Sequence, residues 1–392
     1  MKPAKAGTIA ALAGARAFPP LLIILYHFSE GHHYSGLAWF DRIVTRGYMW
    51  VEFFFVLSGF ILTHAYGPRL RDLLTPKGYG AFLRARLARL YPLHLFMLLV
   101  ILAMVVTFRA LAHAGGYVSI FDVRYHPEVN AWSFLLSVLL VQGWNTLPYL
   151  AWNGLSWFVS VEFALCLLFP AFLWLSHGRT WRGFALTGLG LAGMLALLFT
   201  SKHGLDITYH NGVLRGACDF AAGVGMAVLY RETAHRSGPA WIHSLVQVLL
   251  LLLLAYSFAY TGWSHTRNDI YTALPIMALV FALAFDKGVL AEALKTRVPQ
   301  RMGEWSYAIY LGQTAWLQAL RFFEQRLYPP GDTIVLGTRF ADLIWWLEPL
   351  LLVIVCIGWG ALLARYIEYP AAQWLRRRLG RRLDPQTMPT PS

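Results

Sequence analysis

15-ARAFPPLLIILYHFSEGHH-33 begins with an arginine and carries a histidine eleven residues later, inside an otherwise apolar run. On a helix of ~3.6 residues per turn, Arg16 and His27 fall within about 20° of one face and ~16 Å apart along the axis. Both side chains are costly in hydrocarbon, so a stripe that carries the two of them calls for partners or a task.

The rest of the chain says what solvent that stretch lives in. Of 392 residues, 57% are hydrophobic and 14% charged, with a mean hydropathy of +0.50. That composition excludes a soluble two-domain protein and predicts an all-α integral membrane protein. The net charge of +13 reads as cytoplasmic loops meeting anionic headgroups, and nucleic acid is not expected as a partner. Cys166, Cys218 and Cys356 lie in apolar stretches without CxxC or Cys/His spacing, so they read as small buried hydrophobes, with no disulfide framework and no metal site. The leading "MKPAKAGTIAALAGARAF" has the lysines and alanines of a signal peptide, but Arg16 interrupts its apolar region. It is expected to be a retained cytoplasmic lead-in.

Apolar runs suited to a ~30 Å hydrocarbon core occur around 13–34, 47–66, 90–110, 155–176, 183–200, 212–230, 241–261, 270–285, 305–322 and 343–364. They predict about ten transmembrane helices. A shorter run, "AWSFLLSVLLVQGW" at 131–144, leads into the helix-breaking "NTLPYLAWNG". Lys/Arg clusters mark the loops at 67–89, 177–182, 231–240 and 286–304 and the tail "RRRLGRR". All of them fall on one side only if 131–144 dips in and returns, which makes that run a re-entrant or interfacial segment and both termini cytoplasmic. Residues 376–392 are expected to form a basic, disordered cytoplasmic tail.

Several further polar groups sit at membrane depth. His27 is the base candidate, since burial favours the neutral imidazole that can accept a proton. Glu30, one turn later, either orients His27 or marks the outer interface. Glu162, in "LSWFVSVEFALCLLFP", lies ~10 Å into its span, near the expected level of His27, with Ser156 and Ser160 as candidate donors. Glu52 and Ser58-Gly59 belong to "VEFFFVLSGF", where the small residues permit close helix approach. Arg86 and Arg89, at i,i+3 where a helix meets the membrane, read either as positive-inside bias or as a bidentate phosphate clamp. Arg215 and Asp219, at i,i+4, read as a structural ion pair.

Taken in order, Arg16-x10-His27, Arg86-x-x-Arg89 before "LYP", "VEFFFVLSGFIL", the Ser156/Ser160/Glu162 pattern, "FAAG", "GEWSYAIYLGQ" and "YIEYP" resemble the acyltransferase type 3 family of integral membrane proteins over nearly the whole chain. The resemblance implies a transmembrane acyltransferase domain over 1–375, in the bacterial inner membrane. It further implies transfer of an acyl group, often acetyl, from cytoplasmic acyl-CoA to a hydroxyl of a cell-surface or exported carbohydrate or its lipid-linked precursor. Acyl-CoA is then a co-substrate, with no permanently bound cofactor; a glycan or glycolipid acceptor and the bilayer are the other partners. Carried over by position, His27 is the catalytic histidine, Arg16 its motif partner, and Arg86 with Arg89 the CoA-phosphate clamp. Gln313 stands where the family usually has histidine. From the residues alone a different class stays open: a proton-coupled transporter or flippase, with His27, Glu30 and Glu162 as a proton relay.

Overall fold

The computed structural model describes residues 9–29, 38–116, 118–119, 121, 127–236, 238–260, 266–327 and 339–379. Among them there is no strand, and sixteen α-helices follow in chain order. These are α1 (Ala10–Ala15), α2 (Phe18–Ser29), α3 (Ala38–Val44), α4 (Trp50–Tyr66), α5 (Leu70–Leu73), α6 (Pro76–Gly115), α7 (Ala131–Val138) and α8 (Trp157–Ser176). The second half comprises α9 (Thr180–Thr200), α10 (Gly212–Thr233), α11 (Ala240–Tyr260), α12 (Ile270–Ala284), α13 (Val289–Leu294), α14 (Arg297–Leu327), α15 (Arg339–Leu363) and α16 (Tyr369–Leu379).

Eight helical segments among the described residues are long and apolar enough to cross a membrane. They fall on eight of the ten apolar runs. The other two runs form α12, only 15 residues long, and α14, whose 31 residues include too many polar groups to meet the same standard. The run at 131–144 holds only the eight-residue α7, ~12 Å of helix, too short to cross by itself. Asn130 and Ser133 form a capping box at its start, and His94 Nε2 meets the carbonyl of Ser137 at 2.8 Å, pinning α7 to α6. The expected tail boundary at 375/376 falls inside α16, and residues from 380 onward lie outside the described residues. All three cysteines are buried and unpaired.

The opening stretch is not one helix. Pro19 and Pro20 have no N–H to give the carbonyls of Ala15 and Arg16, so α1 stops and α2 starts afresh with both prolines in its first turn. Arg16 therefore sits in a junction, where Ala17 N–H bonds instead to Gly14. Arg16 and His27 therefore belong to different helical segments and not to one uninterrupted helix.

Glycines set how close the helices come. A Cβ at Gly14 would run into the carbonyl of Leu294, and one at Gly303 into that of Ala13, so α1 lies directly against α13 and α14. Likewise Gly59 of α4 faces the carbonyl of Phe220, and Gly223 of α10 that of Val56. This is the small-residue packing typical of membrane helices, where backbone contact replaces the hydrophobic effect. Gly223→Ala is expected to destabilise the bundle by about 1–3 kcal/mol through overpacking, read as a lower thermal midpoint in detergent. Wild-type heat stability would mean that α4 and α10 separate freely.

Candidate active site

Five segments converge on a cavity of about 120 Å³ inside the bundle. The α1–α2 junction supplies Arg16; α4 supplies Phe54, Leu57 and Ser58; α6 supplies Arg86 and Arg89; α8 supplies Phe158 and Glu162; and α14 supplies Ser306, Tyr307 and Tyr310. One side is aromatic: Phe54, Phe158 and Tyr310 touch one another with ring centroids 5.4–6.4 Å apart. The two tyrosine hydroxyls are anchored on backbone, Tyr307 donating to Leu90 O at 2.6 Å and Tyr310 to Leu155 O at 3.1 Å.

The other side is charged. Arg86 and Arg89, three residues apart on α6, both reach the cavity, and Arg16 joins them from its junction. Among the described residues none of these guanidinium groups makes an ion pair or a hydrogen bond; Arg86 lies over the Phe82 ring at 5.7 Å, and its Nε is buried without a partner. Glu162 accepts a 2.5 Å hydrogen bond from Ser58, and its second oxygen is buried and unpartnered. Three cations thus face a partly open cavity with hydrogen-bonding capacity unspent. In low dielectric that arrangement favours a multiply charged anion with several acceptor oxygens, as a phosphate has.

The remaining expected site residues lie elsewhere. His27, half-buried on α2, does not line the cavity. Its ring lies 4.8 Å from that of Tyr26, and its carbonyl accepts from Arg321 Nη2 at 3.3 Å. Glu162 lines the cavity with Arg16, Arg86 and Arg89. Glu30 lies outside the described residues. Ser156 and Ser160 are not donors to Glu162. Gln142 Nε2 bonds to Ser156 Oγ, while Ser160 Oγ accepts from Gly143 N–H and donates to Leu140 O, so both serines hold the 140–144 loop against α8.

Arg215 does not pair with Asp219. Its Nε and Nη2 both donate to Glu52 Oε1, at 3.0 and 2.6 Å, and its remaining bonds go to the carbonyls of Ile207 and Tyr48. The close α4–α10 contact brings Glu52 head-on to the guanidinium, a geometry that a neighbour four residues along the same helix does not match. Glu52→Gln is expected to cost about 3 kcal/mol of stability, because it leaves a buried cation without its counter-charge. Glu162→Gln, whose direct hydrogen-bond partner is the neutral Ser58, should cost less stability than Glu52→Gln and lose transfer activity. Activity and midpoint measured on both variants check this, and equal loss of stability in both would contradict it.

Sequence reading missed Ser58 as the partner of Glu162, and missed Tyr307, Tyr310 and Glu368. The two tyrosines lie in "SYAIYLGQ" and the glutamate in "YIEYP", but their helical context reads as ordinary core and interface. An acid four residues past the end of the last apolar run was the one available signal.

Fold and cavity together define a multi-pass helical membrane protein with a cationic chamber inside its bundle. The acyltransferase domain family matches residues 9–365, and the chain belongs to that family: it is a membrane acyltransferase. It is 28% identical over its full length to the acyltransferase MdmB of Streptomyces mycarofaciens, covering 97% of that protein. It is also 41% identical over 88 residues, 22% of this chain and 40% of the relative, to protein 2 in the picA locus of Rhizobium radiobacter. No solved structure matches it. Family membership decides against the transporter reading.

Proposed function

We propose that this protein moves an acyl group, in the first instance acetyl, from cytoplasmic acyl-CoA to a hydroxyl of a cell-surface or exported carbohydrate or its lipid-linked precursor, in the bacterial inner membrane. One observation carries the reading: Arg16, Arg86 and Arg89 face one cavity without ion-pair partners among the described residues. Acyl-CoA brings the phosphates such a cavity would hold. Its pantetheine arm is extended and carries the thioester at the far end. Helix α2 separates the Arg16 junction from His27 by roughly 15 Å, a span that arm can cover, so one donor molecule fits phosphates at the arginines and thioester beside His27.

In the proposed reaction His27 takes the proton of the acceptor hydroxyl as its oxygen attacks the thioester carbonyl. The C–O ester bond forms, the C–S bond breaks, and the proton passes from His27 to the CoA thiolate. Glu162 orients the arginines or the acceptor, and Glu30 the histidine. The topology that goes with this chemistry has ten spans, a re-entrant 131–144 segment and cytoplasmic termini, so that the basic loops and the donor share one side.

The test is direct. Detergent-purified protein with radiolabelled acetyl-CoA and a panel of oligosaccharides should yield alkali-labile label on an acceptor and one equivalent of free CoA. No release of CoA above background with any acceptor or acyl chain would sink the proposal.

A further inference from the structure

Arg16 and Arg89 come from different segments, yet each lies within electrostatic range of the other, and Arg89 also faces Arg86. Like charges in a low-dielectric interior repel strongly, so side-by-side guanidinium groups need an anion that belongs to the protein. Two carboxylates are at hand, and they divide the work. Glu162 lines the cavity with the three arginines. Glu368, whose turn packs on α6 and α14, lies within electrostatic range of both Arg16 and Arg89.

Glu368 does not line the cavity. It is buried, 6% exposed, and its Oε2 has no hydrogen-bond partner among the described residues. It closes a π-turn, Ala364–Glu368, inserted between α15 and α16. Such turns are rare and are frequently found at functional sites. The next residue, Tyr369, donates its hydroxyl to the Glu304 carbonyl at 3.3 Å, and α16 packs on α6, the helix that carries Arg89. The turn is therefore fixed on both the helix of the arginine clamp and the helix of the cavity tyrosines.

We propose that Glu368 is a positioning residue for donor binding: it is the shared counter-charge that keeps Arg16 and Arg89 adjacent and directed at the cavity, ready for the diphosphate of the acyl donor. The proposal rests on reading the cavity as the donor site. Because Glu368 stands outside the cavity, it acts through the arginines and not on the reacting atoms.

The experiment measures equilibrium binding of radiolabelled CoA to the purified full-length protein, together with KM and kcat for acetyl-CoA. Glu368→Gln should weaken CoA binding and raise KM for acetyl-CoA roughly five- to tenfold, with a smaller change in kcat and none in the KM for the acceptor. Glu368→Asp, which keeps the charge on a shorter arm, should show a smaller rise, and it also covers the case in which the Gln variant fails to fold. In an Arg89→Gln background, Glu368→Gln should add much less than it does alone, because its main partner is gone. CoA affinity unchanged in both Glu368 variants, or a double variant whose loss is the full product of the two single losses, overturns the role of Glu368. If Arg89→Gln itself binds CoA like wild type, the donor-site reading fails first; if it loses binding while the Glu368 variants do not, only the Glu368 proposal falls.

Discussion

His27→Ala is expected to lower acyl transfer by about 10²–10⁴-fold, the range usually lost with a general base, while CoA binding stays near wild type. The second half of that expectation follows from the structure: His27 is not part of the cavity wall, and its backbone carbonyl, which bonds to Arg321, survives the substitution. His27→Gln keeps the polar contacts of the side chain but cannot take a proton, so it should be as inactive as the alanine variant. Single-turnover transfer and CoA binding, measured on well-expressed protein of normal heat stability, separate the two steps. A Gln variant that turns over like wild type would make His27 a packing residue and would leave the acceptor proton without a base among the residues assigned here.

Arg86→Ala and Arg89→Ala are each expected to raise KM for acyl-CoA roughly 10- to 100-fold, the equivalent of one lost charge-assisted contact. KM for the acceptor should move much less. Lysine at either position should rescue only in part, since a point charge loses the planar fork that grips two phosphate oxygens. The two changes act on neighbouring groups of one cluster, so the double variant should lose less than the product of the single losses. Steady-state kinetics with both substrates varied provide the check. Equal effects on donor and acceptor would mean that the arginines shape the bundle and do not hold the donor.

How much of this was legible beforehand depends on the kind of force involved. Lipid or water around a segment is written in local composition, so the helical membrane class and the positions of the ten apolar runs could be read from the chain. Arg86 and Arg89 could also be placed on one helix face, because the i,i+3 relation is a property of a single helix. The break at Arg16 was open to the same local reasoning, since Pro19 and Pro20 remove two N–H donors, but the regular spacing of Arg16 and His27 masked it.

Partner choice was not legible. Arg215 had an acid one turn away on its own helix and took Glu52 from another. Ser156 and Ser160 shared a helix with Glu162 and bonded to a loop instead, while Glu162 took Ser58. Glu368, more than 340 residues from Arg16, came within electrostatic range of it. Membership of the family's ordered motifs, and with it acyl transfer, is carried by the sequence. Which charges meet is carried by the distances between helices, and these are set where glycines let one backbone touch another, at Gly14 and Gly303 and at Gly59 and Gly223. Coulomb energy falls with distance, and a hydrogen bond demands both distance and direction, so only the packed bundle could decide which arginines face the cavity and which acid stands behind them.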